Sequence, residues 1–328
     1  MQRSRLALQT CTRTCTRTRP VSTAAYQPPL QPGQLAAYDH AVAYIQQDRT
    51  HKLAQLDELR AQGADQAHLE RIEVEAWSND PETRWRAKNG HGDLSKPVYR
   101  HLAERAWRKD GDLAILMQRV TQMHITPDLL PEIKPVADVR LHVAGATIEP
   151  GVFTNPADTR EGFEVSVQVY HPEERLYTLL VVDPDVPDEF NQTFTTFAHL
   201  LIPNISLSAT TPQPLSLSSL PATLAYIPPH PQAGTPYHRY TALLLAQPAG
   251  ASALEFAEGS GPARAQFDTR AFVKQHGLEA QGVSFFRQKW DESVSAIYAE
   301  VLHAPEPRYG RPPKVDMYAG RPPKYEVV

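Results

Sequence analysis

Asp183-Pro-Asp185-Val-Pro187 sets two carboxylates directly after an apolar, β-prone run, and proline stiffens both. Each proline locks its own φ and restricts the residue before it. Further along stand His199, then Tyr226-Ile-Pro228-Pro229, then Gly234-Thr-Pro-Tyr-His238-Arg239-Tyr240. Two imidazoles and two carboxylates are the groups of a metal site or of an acid/base set. They are equally the groups that satisfy loop backbone, as Asp before Pro commonly does. Linear spacing leaves their convergence open. No Gly-x-Ser-x-Gly elbow and no His-Glu-x-x-His motif occurs, so a hydrolase or zinc-protease reading has no signature to rest on.

A second set is basic and aromatic. Residues 84–109 carry Arg84, Arg86, Lys88, Lys96, Arg100, Arg105, Arg108 and Lys109 against Asp93 and Glu104, with Trp85, Tyr99 and Trp107 interleaved. Cations neutralise phosphates, and aromatic or guanidinium planes stack on unpaired bases. The same residues also fit a solvated helix face anchored by its tryptophans. Near the C-terminal end, Gly310-Arg311-Pro-Pro-Lys314 recurs as Gly320-Arg321-Pro-Pro-Lys324. Pro-Pro favours an extended path that presents side chains without forming a core. The RNA-contact candidates are therefore Arg84, Trp85, Arg86, Lys88, Arg100, Arg105, Trp107 and Arg108, with Arg311, Lys314, Arg321 and Lys324 in the tail.

The elements that position these groups fall into blocks. Residues 26–135 read as a partly basic helical extension. Leu35, Tyr38, Val42 and Ile45 recur at helical spacing, Gly63 breaks the pattern, and Leu69, Ile72 and Ala76 resume it. Asn79-Asp80-Pro81 stops that helix. Another starts at Pro97, and after Asp110-Gly-Asp112 the stripe Leu113, Leu116, Met117 and Val120 follows. The stripes are thin, so these helices are expected to pack on something else. Three prolines between Pro127 and Pro135 read as a linker. From 136 to 303 the period becomes two, with Val165, Val167 and Val169 alternating and Leu176–Val182 continuously apolar. That block is mainly β, an antiparallel sandwich or barrel, with helices over 269–276 and 290–302. Residues 304–328 read as a basic, extended tail.

Composition narrows the classes further. The two cysteines, Cys11 and Cys15, both lie near the N-terminus, which excludes a disulfide framework or a core cysteine nucleophile. No apolar run approaches the ~20 residues of a membrane span. The net charge of −4 is uneven: residues 138–303 hold 9 Lys/Arg against 18 Asp/Glu, whereas residues 1–20 hold five Arg and no acid. The globular body is acidic and argues against coating a nucleic acid itself; the extensions are free to do so. Residues 1–25 have the Arg-rich, hydroxyl-rich, acid-free composition of a mitochondrial transit peptide, which would direct the protein to the matrix.

The order Asp183-Pro-Asp-x-Pro187, His199, Pro228-Pro229, Gly234-Thr235 and His238-Arg239-Tyr240 resembles the phosphatidylethanolamine-binding protein family. The likeness continues through Phe267-Asp-Thr-Arg-Ala-Phe272, Phe285-Phe286 and Trp290-Asp291 and covers roughly residues 138–303. It implies a β-sandwich with a small anion-binding cavity, with Asp183, Asp185, His199, Tyr226, Pro228, His238 and Tyr240 in or beside it. Imidazolium groups there would donate charge-assisted bonds to a phosphate or carboxylate. Ala198 stands where soluble members usually carry a second histidine, Pro236 follows Thr235, and residues 204–220 replace a short connection. These departures imply a vestigial cavity for a phosphate-type ligand, with no metal and no cofactor. A presequence, a basic helical extension, this fold and a basic tail together are similar to a fungal, ribosomal branch of the family. That branch sits in the central protuberance of the mitochondrial large subunit. The resemblance thus implies a non-enzymatic structural role, with mitochondrial rRNA and large-subunit proteins as partners. The alternative is a mitochondrial lipid- or phospho-ligand-binding module regulating a kinase or protease.

Overall fold

The computed structural model describes residues 25–310, apart from 216, 249, 251–252 and 257–260. The expected presequence up to residue 24, and the tail repeat with Arg311, Lys314, Arg321 and Lys324, lie outside the described residues.

The apolar run Leu176–Val182 lacks polar alternation because its strand is covered on both faces. It belongs to β4 (Arg175–Asp188), the second strand of a four-stranded antiparallel sheet. With β5 (Thr193–Leu207), β6 (His238–Ala246) and β7 (Glu279–Gln288), the order is β5-β4-β6-β7. One face packs on a three-stranded sheet in the order β2-β1-β3, made of β1 (Asp138–Val143), β2 (Ala146–Ile148) and β3 (Glu164–Gln168). Tyr177, Leu179, Val181, Leu244 and Phe286 meet Val139, Leu141, Val165 and Val167 there. The sandwich expected from the alternating valines is present. Gly282 lets the sheets approach closely, since a Cβ there would lie 2.5 Å from Val139 Cγ2.

The opposite face packs on helices. Leu180, Val182, Leu243, Leu245, Val283 and Phe285 contact Leu116 and Val120 of α5 (Asp112–Gln122), Ile125 of the single turn α6 (Ile125–Asp128), and Phe272 of α7 (Thr269–Gln275). Leu129, Leu130 and Ile133 complete this layer at 2–4% exposure. The proline-rich segment expected as a linker is therefore core. Its prolines shape a path across the sheet and leave its leucines and isoleucine to bury apolar surface.

The remaining helices are α1 (Ala36–Ala61), α2 (Gln66–Trp77), α3 (Pro81–Lys88) and α4 (Pro97–Lys109). Helix α3 has no apolar stripe and escaped the periodicity; its start is a cap, Asp80 accepting from the Thr83 amide at 2.9 Å with Pro81 at the first turn. Helix α4 is docked on the body through Trp107, which is 4% exposed and lies 6.0 Å from the Tyr170 ring. Two arginines of the β-body hold the α5–α6 region. Arg239 donates to Met123 O and Asp128, and Arg270 to the carbonyls of Pro127, Asp128 and Leu129. The chain ends its described path with α8 (Glu292–Ile297), a π turn over Tyr298–Leu302, and an irregular strap to Gly310. Among the described residues no helix is long and apolar enough to cross a membrane.

Candidate functional site

The carboxylate of Asp183 and the rings of His199, His238 and Tyr240 do converge, at the end of the larger sheet where β4 leaves and β6 enters. Each of the four is at most 2% exposed. His199 is placed by a β-bulge. Val181 pairs with Leu200 and Val182 with Ala198, so His199 is the extra residue between them. Ala198 then faces the helical side of the core, where a second histidine would be a buried, unpaired polar group.

Hydrogen-bond partners fix the charge of each group. His238 Nδ1 lies 2.7 Å from Asp183 Oδ2, and its Nε2 lies 2.9 Å from Thr235 Oγ1. The single hydroxyl proton of Thr235 is donated to Gln232 O at 2.8 Å. The hydroxyl therefore accepts from Nε2–H, and His238 is an imidazolium with both protons committed. Burial lowers the His238 pKa, but the adjacent Asp183 carboxylate outweighs this and raises it. Burial likewise opposes the charge on Asp183, and His238 overcomes it, holding that carboxyl below its usual range. Asp183 Oδ1 also accepts from the Asp185 amide at 2.9 Å.

His199 is the opposite case. Its Nδ1 lies 2.8 Å from Ile227 O, which can only accept, so Nδ1 carries the proton and Nε2 presents a lone pair. Burial, then the neighbouring His230, pushes its pKa down to about 3. His230, 5.1 Å away ring to ring, is held the same way by Pro228 O at 2.8 Å, and burial lowers its pKa too. His199 Nε2 is buried with no hydrogen-bond partner among the described residues. The expected pair of imidazolium donors is thus not what the geometry supplies. One imidazolium has no N–H to spare, and His199 offers an acceptor, which repels rather than binds an anion.

Other expected members are drawn elsewhere. Asp185 does not face the cluster; it forms a bidentate pair with Arg239 at 2.8 and 2.6 Å and accepts the Arg239 amide at 2.8 Å. Tyr226 donates to Thr159 O at 2.6 Å and packs on Phe163. Pro228 is buried and supplies the carbonyl that orients His230. Sequence reasoning missed His230 and Gln232, and it quoted Thr235 and Arg239 as motif positions without giving them a role. His230 directly follows Pro228-Pro229, so the proline-restraint logic applied to Asp183 would have flagged it. Among the described residues no group of three or more His, Cys, Asp or Glu could hold a metal ion.

The C-terminal strap lies against the loop that carries this cluster. Tyr309 N donates to Ala233 O at 2.7 Å, and Glu306 accepts from Ser295 Oγ at 2.9 Å and from the Trp290 indole. Gly234, at φ +90°, makes the approach possible, since a Cβ there would lie 1.8 Å from Tyr309 O.

The basic face of the helices separates into two kinds of residue. Arg100 is 4% exposed and donates to Leu94 O, Ser95 O and Glu70, so it braces α2 against α4 rather than facing a partner. Trp107 is a packing anchor, with Arg108 lying over it at 5.5 Å. Arg86 and Arg108 are exposed in same-helix pairs with Glu82 and Glu104. Arg84, Lys88 and Arg105 are exposed and have no ion pair among the described residues. Trp85 is half-buried and stacked on His91 at 5.6 Å.

The chain is similar to several known proteins. The large ribosomal subunit protein mL38 of Schizosaccharomyces pombe is 26% identical over 270 residues, spanning 80% of this chain and 86% of that protein. Carboxypeptidase Y inhibitor, solved in complex with its cognate proteinase, is 18% identical, with 53% of this chain and 95% of that chain covered at a TM-score of 0.43. The phosphatidylethanolamine-binding protein from Plasmodium vivax is 16% identical, with 53% and 97% covered at a TM-score of 0.40. Residues 141–287 match the family model described as phosphatidylethanolamine-binding protein. Over those residues, a little under half of its length, the chain is similar to the phosphatidylethanolamine-binding protein family.

Proposed function

We propose that this chain is a structural constituent of the large subunit of the mitochondrial ribosome, in the central protuberance, working by binding rather than catalysis. The observation that carries the proposal is the extent of the likeness to mL38, 80% of this chain, against a family domain confined to residues 141–287. The shared sequence therefore includes helical extension as well as sandwich. The buried cluster supports the same reading. A site whose imidazolium is fully committed and whose second imidazole presents a lone pair serves the fold better than an anion. Arg84, Lys88 and Arg105 are the helical residues best placed to meet rRNA phosphates, with Arg311, Lys314, Arg321 and Lys324 following in the tail; neighbouring subunit proteins meet the acidic body. Residues 1–25 act as the targeting segment for the matrix, 26–135 as the partner-binding extension and 304–328 as the tail.

Sedimentation of detergent-lysed mitochondria on a sucrose gradient, with Mg²⁺ present and then chelated, tests this. Co-migration with the large subunit through moderate salt is the expected result. Migration as a free protein of about 36.6 kDa in both conditions defeats it. A phospho-ligand module is the second reading, favoured by the buried His199 Nε2 lone pair, which has no partner among the described residues and suits the ammonium end of such a ligand. Saturable binding of phosphoethanolamine that His199→Ala abolishes is the result that would promote it.

A further inference from the structure

Residues 138–303 are acidic as a sum, yet the fold sorts their cations unevenly. Arg140, Arg160, Arg175 and Arg239 are each spent in ion pairs. Arg264 and Arg270 donate to main-chain carbonyls. Among the described residues this leaves Lys274, Arg287 and Lys289 without an acidic partner, and the last two stand together over aromatic rings.

Arg287 donates through Nε to Gly151 O at 2.7 Å, which fixes its plane. Its Cζ lies 4.1 Å from the centre of the Phe153 ring and 5.2 Å from that of Tyr237. Phe153 and Tyr237 meet edge to face at 5.9 Å, and Lys289 Nζ lies 5.2 Å from the Phe153 ring. Phe153 is 45% exposed. The platform is held by sheet hydrogen bonds. Residues 151–154 run parallel to β7, with Gly151 N on Phe285 O at 2.6 Å, Arg287 N on Val152 O at 2.9 Å and Thr154 N on Arg287 O at 3.0 Å. The C-terminal strap passes close by. Arg308, whose side chain is 77% exposed, bridges to Ala233, four residues before Tyr237, and the basic tail continues from there.

We infer that the face formed by Phe153, Tyr237, Arg287 and Lys289 is a docking surface for a single-stranded RNA segment. A guanidinium held over an aromatic ring, with no hydrogen bond from either Nη among the described residues, suits a phosphate. Exposed rings beside it suit unstacked bases. A duplex hides its bases, and an acidic peptide would satisfy the cations while leaving the rings uncovered. The inference deepens the ribosomal reading: it adds RNA contact on the sandwich, the part of the chain whose net charge argued against it.

The probe is a 12-nucleotide oligouridylate, labelled for anisotropy and carrying 4-thiouridine for cross-linking, added to the full chain over a range of KCl. Cross-links are expected on peptides holding Phe153 or Tyr237. Phe153→Ala is expected to weaken binding about tenfold, the lower range of a lost base stack. Lys289→Glu is expected to lower the salt slope by about 0.7, one phosphate on a single strand. Unchanged affinity and slope in both variants, with unchanged thermal melts, overturns the inference, as does cross-linking confined to the helical extension. Competition by polyglutamate equal to that by RNA overturns it in favour of an acidic protein partner. These outcomes separate from the ribosomal reading, because a chain that still co-sediments with the large subunit while both variants bind oligouridylate normally loses only this inference.

Discussion

Arg239 is the residue whose loss should be most informative. Its guanidinium joins Asp185 on β4, 54 residues away, to Asp128 and Met123 O on the helical side, 111 and 116 residues away. The Asp185 and Asp128 carboxylates outweigh burial and raise its already high pKa, so it is charged at any working pH. Arg239→Met keeps the stem but removes four side-chain hydrogen bonds and leaves Asp185, 18% exposed at its side chain, with the backbone amide alone. Breaking one partner of a buried ion pair costs about 3–5 kcal/mol. Asp128 is 43% exposed and can rehydrate, so about 3 kcal/mol is expected. Urea denaturation followed by far-UV circular dichroism and by tryptophan fluorescence would measure it. Because Arg239 fastens the α5–α6 layer to the sheet, the two probes should also cease to coincide. Adding Asp185→Asn should recover about 1–2 kcal/mol, since the stranded charge is then gone. A loss below about 1 kcal/mol with coincident transitions would refute the view that this clamp couples the helical layer to the sandwich.

Four further outcomes are expected. His199 has a folded pKa of about 3 against ~6.5 unfolded, so its contribution is complete above pH 6.5 and falls by about 1.4 kcal/mol per unit below it; His199→Gln should flatten the acid limb of a stability–pH curve, and an unaltered limb counts against a buried neutral imidazole. His238, raised by Asp183, has the opposite sign: its contribution is present below the unfolded value and lost as pH rises through the folded one, and ring nitrogen shifts near pH 6 should show it doubly protonated beside a neutral His199. Gly234→Ala forces a Cβ to within 1.8 Å of Tyr309 O, so the strap should lift and the Tyr309 amide lose exchange protection; retained protection would show that the strap does not depend on this contact. Arg100→Met should cost about 2–4 kcal/mol of stability by stranding Glu70 and two carbonyls and leave the salt slope of RNA binding intact, whereas Arg105→Glu should lower that slope and leave the melting temperature alone.

Much of the sandwich was legible because burial on two faces and burial on one face write different patterns. Val165, Val167 and Val169 alternate beside the smaller sheet, while Leu176–Val182 runs unbroken through the larger one. The helix boundaries at Gly63 and Asp110-Gly-Asp112 were legible as well, since Gly63 and Gly111 take positive φ between helices. Strand β7, which lacks alternation, was not picked out; nor was β1, although Val139, Leu141 and Val143 do alternate with polar residues there. The segment 127–135 misled because proline signals where a helix cannot continue and says nothing of what its neighbours bury. Asp183, His199 and His238 were found from their types and their prolines, and they do meet.

What the residue types determined alone is therefore the inventory: an acidic sandwich, a basic helical extension, and a carboxylate with imidazoles at strand ends. Apart from the local Thr235–His238 contact, their roles were decided by contacts 28 to 116 residues apart in the chain. Thr235 and Asp183 make His238 a committed cation, whereas Ile227 O and burial make His199 a neutral acceptor. Asp185 belongs to Arg239, Arg100 belongs to Glu70, and Arg287 alone of the body's arginines lies over exposed rings. A side chain's charge and tautomer depend on which donors, acceptors and water surround it, and those surroundings exist only once distant segments have packed together.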